Sequence, residues 1–228
     1  MPPLYFPDPR NSSAEGIVAA GGDLAPERLL DAYRHGIFPW PMDDFEPLLW
    51  WSPEPRGVLP LDGFIASRRL LRRIRSGEFV VTCDRAFRET MIGCATGNGR
   101  DGGTWITPEM IEGYTRLHKL GHAHSIEVWQ NEELVGGTYG IAIGGLFAAE
   151  SMFYRVRDAS KVAIYKLVEH LNSRGYQLLD VQQWTPHTGS LGVIEVSREQ
   201  YLKRLAAVVD LPVTWGELTQ PDRHAVRE

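Results

Sequence analysis

The stretch HSIEVWQNEELVGGTYGIAIGGLFAAESMFY, residues 124–154, holds three runs of β-type sequence separated by two turns. HSIEVWQ alternates as a strand does, NEE turns, ELVGGTYGIAI alternates more loosely, Gly144 and Gly145 turn again, and LFAAESMFY follows. Three consecutive antiparallel strands are predicted. Downstream, apolar residues at Val162, Ile164, Tyr165, Leu167, Val168 and Leu171 give Asp158 to Ser173 a helical period, and Gly175 sits where a terminating left-handed glycine belongs. Tyr176 to Gln182 then reads as a strand, and Ser197 with Gln200 makes a capping box for a helix through Val208. Upstream, Thr107 and Pro108 open a helix that Gly121 ends, after a glycine-rich loop, GNGRDGG, at 97–103. Before that loop, Asp84 is placed to cap a helix running to Ala95, Glu78 to Thr82 reads as a strand, and Phe64 to Arg75 reads as a helix. From residue 78 the order is β, α, α, β, β, β, α, β, α, so the expected class is α+β with a mixed, largely antiparallel sheet.

Toward the N-terminus the composition changes. Eleven of the fifteen prolines lie in the first sixty residues, which divides the chain into a small domain, 1–60, and a larger one, 61–228. In the first, Pro26 and Gly36 bracket a short helix, PERLLDAYRH, and the aromatic segments GIFPWP and LLWWSPEPRG are expected to lie extended against the larger part through Trp40, Trp50 and Trp51. At 228 residues, about 70% of the unfolded surface can be buried without disulfides. Hydrophobic residues at 43% and charged residues at 23% exclude disordered, collagenous and coiled-coil classes. Cys83 and Cys94 lack CxxC spacing and are expected as buried reduced thiols; with no signal peptide and no long apolar run, the expectation is a cytoplasmic protein with no membrane contact. A net charge of −5 argues against nucleic-acid binding by bulk charge and leaves only a local basic patch.

Such a patch exists. Arg68, Arg69, Arg72, Arg73 and Arg75 span roughly 160° of one helix face at about 100° per residue, with no interleaved acid. A surface helix and an RNA-backbone contact are about equally compatible with composition alone, and the uncompensated repulsion favours a polyanionic partner. His118, His122 and His124 straddle the Gly121 helix stop with no carboxylate or cysteine to complete a ligand set, so no metal is expected. Glu150 and Asp180 each interrupt apolar sequence, and Gln182 shares a strand face with Asp180, which together read as a polar group in a cleft.

The element order resembles that of GNAT acyltransferases. The place where those enzymes carry a glycine turn for the CoA pyrophosphate holds YRVRDASK, so an ordinary CoA site is not expected. The motifs GGDL (21–24), YRHGIFPW (to Trp40), WWSPEPR (to Arg56), TWIT (104–107), LHKLGHAHSIEVW, ELVGGTYG, ESMF, DASK and D-x-Q followed by HTGSLG stand in one order. They resemble the leucyl/phenylalanyl-tRNA-protein transferase family from about residue 17 to about 205. The resemblance implies a small N-terminal domain packed on a GNAT-like domain, and transfer of Leu, Phe or, less well, Met from aminoacyl-tRNA to proteins that begin with Arg or Lys. The product would be marked for N-degron-dependent degradation. The expectation is a monomer with no metal or organic cofactor. The resemblance places the 3′ adenosine on Trp40 and Trp105, with Tyr33 and Tyr114, and the aminoacyl side chain among Thr138, Phe147, Met152, Ile164, Leu167 and Leu179. Thr138 stands where a larger apolar residue is expected. The resemblance further sets Asp180 and Gln182 at the reacting amine and ester, Glu150 at the acceptor's cationic residue, and the five arginines on the tRNA. A CoA-dependent N-acetyltransferase and a non-catalytic tRNA-binding module are the alternatives.

Overall fold

The computed structural model describes residues 4–42, 47–97 and 104–218. All but Gly97 of the expected glycine-rich loop lies outside the described residues. The proline- and aromatic-rich segment builds a small sheet from three short strands, β1 (Ile17–Ala20), β2 (Phe38–Pro39) and β3 (Leu49–Trp51), ordered β1-β3-β2. Helix α1 (Pro26–Arg34) starts on a proline, whose missing N–H would have no partner in a first turn, and Gly36 at φ 76° redirects the chain into β2. Trp50 is fully buried and donates from Nε1 to the Gly21 carbonyl at 2.8 Å, so this indole is structural.

The next strand, β4 (Arg56–Val58), lies before Pro60 in sequence yet belongs to the large sheet, pairing antiparallel with strands near the C-terminus. Helix α2 (Arg68–Arg75) is shorter than the pattern from Phe64 suggested. Ser67 takes the N-cap, its hydroxyl accepting from the Leu70 N–H at 3.1 Å, a contact of about 1 kcal/mol, while Phe64 sits edge-on to Tyr165. After β5 (Val80–Cys83), Asp84 does not cap α3 (Phe87–Thr96). It adopts φ 57° and its carboxylate accepts from the Ser125 N–H at 2.9 Å, tying β5 to its neighbour. Thr107 does cap α4 (Pro108–Lys119), and the three predicted strands are β6 (Ala123–Gln130), β7 (Glu133–Ile143) and β8 (Leu146–Tyr154). The chain then forms α5 (Ala159–Arg174), β9 (Leu178–Gln182), a single-turn α6 (Pro186–Gly189), β10 (Ile194–Val196) and α7 (Arg198–Val208), the last with the expected Ser197/Gln200 box.

Among the described residues, seven strands make one mixed sheet in the order β10-β4-β9-β8-β7-β6-β5, antiparallel throughout except between β8 and β9. One face packs on α1, α3, α4 and α7 through residues such as Met91, Tyr114 and Tyr139; the other packs on α5 through Phe147, Leu167 and Leu179. Cover on both faces explains why β7 is apolar on both sides and alternates only loosely. Gly140 is there because a Cβ would come within 2.2 Å of the Ala148 carbonyl oxygen. No described helix is long and apolar enough to cross a membrane.

Two irregularities interrupt the sheet at β8. The parallel pairing of β8 and β9 runs only from Leu146↔Leu178 to Ala148↔Asp180, after which the strands part. In the β7–β8 ladder Gly140 pairs with Ala149 and Tyr139 with Ser151, which leaves Glu150 as the extra residue of a β-bulge. Before the bulge Ala148 faces the α3/α4 core and Ala149 the α5 core; after it Met152 faces the α5 core and Phe153 the α3/α4 core.

Candidate active site

A cavity of about 460 Å³ opens where β8 and β9 part, within the range of small-ligand sites. Ser151, Met152 and Tyr154 form one wall, and Val181, Gln182 and Gln183 another. Trp40 and Trp105 complete it, their ring centroids 6.3 Å apart and tilted by 57°. Trp40 is held by its own carbonyl, which accepts from Trp51 Nε1 at 3.0 Å.

Glu150 sits at the floor, aimed there by the bulge. Gln182 Nε2 donates to Glu150 Oε1 at 2.6 Å, and the Tyr114 hydroxyl donates to Oε2 at 3.4 Å. Burial pushes the Glu150 carboxyl up to about 8; a bond from Tyr33 opposes the rise, and nearby Asp180 adds to it. Tyr33 and Tyr114 do not join the cavity wall. Both are fully buried, their hydroxyls 2.5 Å apart, and burial raises both phenols well above their ordinary value. Their rings present no face to a base; they support Glu150 from below.

Asp180 is also displaced from its expected place. It has no exposed surface and does not line the cavity. Oδ1 accepts from Arg56 Nε at 2.9 Å and from the Gln182 N–H at 2.8 Å, while Oδ2 accepts from Arg56 Nη2 at 2.6 Å and from the Tyr201 hydroxyl at 2.8 Å. A carboxylate so occupied has no lone pair directed at a substrate. Asp180 and Gln182 therefore act in series: Asp180 fixes the Gln182 backbone in the left-handed region, φ 63°, and the carboxamide of Gln182 reaches the cavity. A non-glycine residue held in this region costs on the order of 1 kcal/mol or more, offset by these bonds. Arg56, which the sequence showed only as the end of WWSPEPR, completes the latch. It is 1% exposed, lies between the rings of Phe38 and Tyr201 at 4.8 and 4.3 Å, and donates from Nη1 to the Gly36 carbonyl. Burial opposes its charge, and Asp180 more than compensates, so its pKa is raised. A lone arginine in an aromatic, proline-rich run was the available signal, and its partner lies 124 residues away.

Of the expected aminoacyl residues only Met152 lines the cavity. Thr138 pairs with Met152 across the ladder, buried, its hydroxyl donating to the Ser151 carbonyl at 2.9 Å. Phe147, Ile164, Leu167 and Leu179 lie in the core between sheet and α5, beneath Met152 and Val181.

The arginine helix is not uncompensated. Arg73 pairs with Glu78 at 2.7 Å and Asp158 at 3.4 Å, and Arg69 approaches Asp158 at 3.7 Å; Glu78 follows the helix closely, whereas Asp158 is brought in by tertiary contact. Arg68, Arg72 and Arg75 remain exposed. Likewise Asp84 joins two of the histidines, contacting His124 Nδ1 at 2.7 Å and His118 Nδ1 at 3.8 Å, with His122 outside the group. The Ala123 carbonyl faces His118 Nδ1 and the Gly121 carbonyl faces His124 Nε2, and Asp84 supplies the carboxylate that the sequence did not show beside these histidines, the three offering ligand atoms within 4.8 Å of one another. Cys94 is buried as expected and Cys83 only half so, and no disulfide joins them.

Comparison with known proteins defines the class as an aminoacyltransferase. Residues 58–206 match the family model described as leucyl/phenylalanyl-tRNA protein transferase, and residues 22–54 match the model of that protein's N-terminal domain. Proteins named leucyl/phenylalanyl-tRNA–protein transferase from Solidesulfovibrio magneticus and Pseudoalteromonas atlantica are 52% and 47% identical, covering 89% and 96% of this chain and 82% and 96% of their own lengths. The chain belongs to the leucyl/phenylalanyl-tRNA protein transferase family. Solved structures with some likeness include FemX, at 13% identity and a TM-score of 0.48 over 75% of this chain and 66% of that one. Another is a GCN5-related N-acetyltransferase from Kribbella flavida, at 10% identity and a TM-score of 0.41 over 73% and 59%.

Proposed function

We propose that the protein transfers leucine or phenylalanine, and less well methionine, from aminoacyl-tRNA to the α-amine of polypeptides that begin with Arg or Lys. The observation that carries this reading is the wedge between β8 and β9, with paired indoles on one wall and the Gln182–Glu150 pair at its floor, in a chain of this family. Trp40 and Trp105 take the 3′ adenosine by stacking, a contact of about 1–3 kcal/mol that is indifferent to tRNA identity. The aminoacyl side chain enters against Met152 and Val181, over the apolar residues beneath them. An α-amine with a pKa of about 7.7–8.0 is partly neutral at pH 7 and the ester is already activated, so positioning dominates and the chemistry requires neither metal nor organic cofactor. Gln182 contacts the reacting centre, Asp180 and Arg56 hold it there, and Glu150 receives the acceptor's cationic side chain, whose approach favours the ionised carboxylate. The product is a polypeptide bearing a destabilising N-terminal residue.

The test is incubation with labelled Leu-tRNA and a peptide beginning with Arg. Label at the peptide's N-terminus is expected; a folded protein that leaves the peptide unlabelled refutes the proposal. Turnover of acetyl-CoA without tRNA would support the acetyltransferase alternative instead.

A further inference from the structure

Among the described residues, three Phe, Tyr or Trp residues are more than a third exposed: Tyr5, Tyr154 and Trp184. Two of them stand at the mouth of the cavity. Tyr154, 47% exposed, ends β8 and lines the cavity itself; Trp184, 45% exposed, lies between Gln183 and Thr185, which both line it. Exposed aromatic rings at the rim of a cavity mark a contact surface. Trp184 is also held in place, since Gly189 lies so close that a Cβ there would come within 2.6 Å of the indole Nε1.

The rim is cationic. Lys161, in the first turn of α5, lies near enough to His187 on the cavity wall to add to the lowering of its pKa by burial. Arg157, three residues beyond Tyr154 and so within about 11 Å along the chain, lines a second depression with Arg69, Arg72 and Arg73, four arginines against the two acids Glu78 and Asp158. A strand that leaves the cavity toward the arginine helix crosses Tyr154 and then meets this row of cations.

We propose that Tyr154 and Trp184 are stacking platforms for the unpaired nucleotides that precede the terminal adenosine of the RNA donor. The protein then reads a short single-stranded tail, with bases on the rings and phosphates on Lys161 and Arg157. The inference rests on the proposed use of aminoacyl-tRNA. Exposed rings flanked by cations suit a single-stranded polyanion, since stacking accepts any base and the cations follow the backbone. The acceptor polypeptide reaches the same cavity with its cationic residue on Glu150, which leaves the rim cations to the polyanionic donor.

Two donors distinguish these cases, each supplied with the same Arg-initiated peptide: an adenosine leucyl ester, and the same ester on a cytidylyl-cytidylyl-adenosine trinucleotide. In the native protein, kcat/KM for the trinucleotide is expected to exceed that for the nucleoside by about tenfold or more, mainly through KM. Tyr154→Ala and Trp184→Ala each shrink that ratio severalfold, whereas Tyr154→Phe keeps it. An unchanged ratio in both alanine variants overturns the inference. So does a Trp184→Ala effect confined to the KM of the peptide, which would assign the rim to the acceptor. A native protein that uses both donors equally also overturns it while leaving the proposed function intact; failure on Leu-tRNA itself removes both.

Discussion

Replacing Arg56 by leucine removes two of the four donors to Asp180 and leaves a carboxylate with no exposed surface held only by the Gln182 N–H and the Tyr201 hydroxyl. Breaking a buried ion pair by removing one partner costs about 3–5 kcal/mol, a large part of the roughly 5–15 kcal/mol that separates folded from unfolded domains. The expected result is a urea midpoint lowered by roughly 1–3 M at pH 7. The double variant Arg56→Leu/Asp180→Leu removes the orphaned charge together with its partner and should recover a substantial part of that loss. Its transfer activity should nevertheless stay low, because Gln182 loses the acceptor that holds its left-handed backbone. Stability returning without activity is the signature of a latch whose purpose is to position Gln182. The latch is refuted if the single variant unfolds within about 1 kcal/mol of the native protein, or if the double variant is no more stable than the single one.

Trp105→Ala should raise the KM for aminoacyl-tRNA by about tenfold, in keeping with one lost base contact, with little change in kcat; a kcat effect alone would move this indole from binding to chemistry. Replacing Arg68, Arg72 and Arg75 by glutamine should reduce the slope of log affinity for tRNA against log salt by about two to three, while Arg73→Gln should also destabilise the fold through its pairs with Glu78 and Asp158. Glu150 titrates near 8 when folded, against 4.5 for the free group. The unfolded chain therefore releases this proton first, and the penalty on stability grows from about pH 4.5 to about pH 8, by at most about 1.4 kcal/mol per pH unit. Glu150→Gln should thus gain stability over the native protein as pH rises from 5 to 8 in paired urea titrations, and a difference independent of pH would contradict the buried, raised carboxyl.

Local signals carried the architecture well where elements were long. The periodicity of α5, the turns at Asn131 and Gly144, the Thr107 cap and the Ser197 box were all visible because each depends on residues within four or five positions. Strands of three residues, Arg56–Val58 and Ile194–Val196, are too short to show alternation and owe their place to pairing with β9 and with each other. Asp84 looked like a cap because capping chemistry is local, yet its partners on β6 are some 40 residues away. The same distance effect hid Arg56 from Asp180 and Asp158 from the arginine helix, whereas Glu78 lies only five residues past Arg73. Glu150 and Gln182 were legible as polar residues in apolar surroundings; which carboxylate faces the cavity was not, since that follows from a bulge and a left-handed residue rather than from alternation.

The bulge makes the length of β8 a functional variable apart from its composition. Deleting Glu150, the one residue between Ala149 and Ser151, would restore an even ladder with β7 at little cost in backbone hydrogen bonds, with Tyr139↔Ser151 and Thr138↔Met152 still paired and the faces of Met152 and Phe153 unchanged. The cavity would keep its methionine wall and lose the carboxylate on its floor. Substitutions in this strand can drift one at a time, whereas a single-codon deletion would abolish the site in one step while leaving most of the sheet intact.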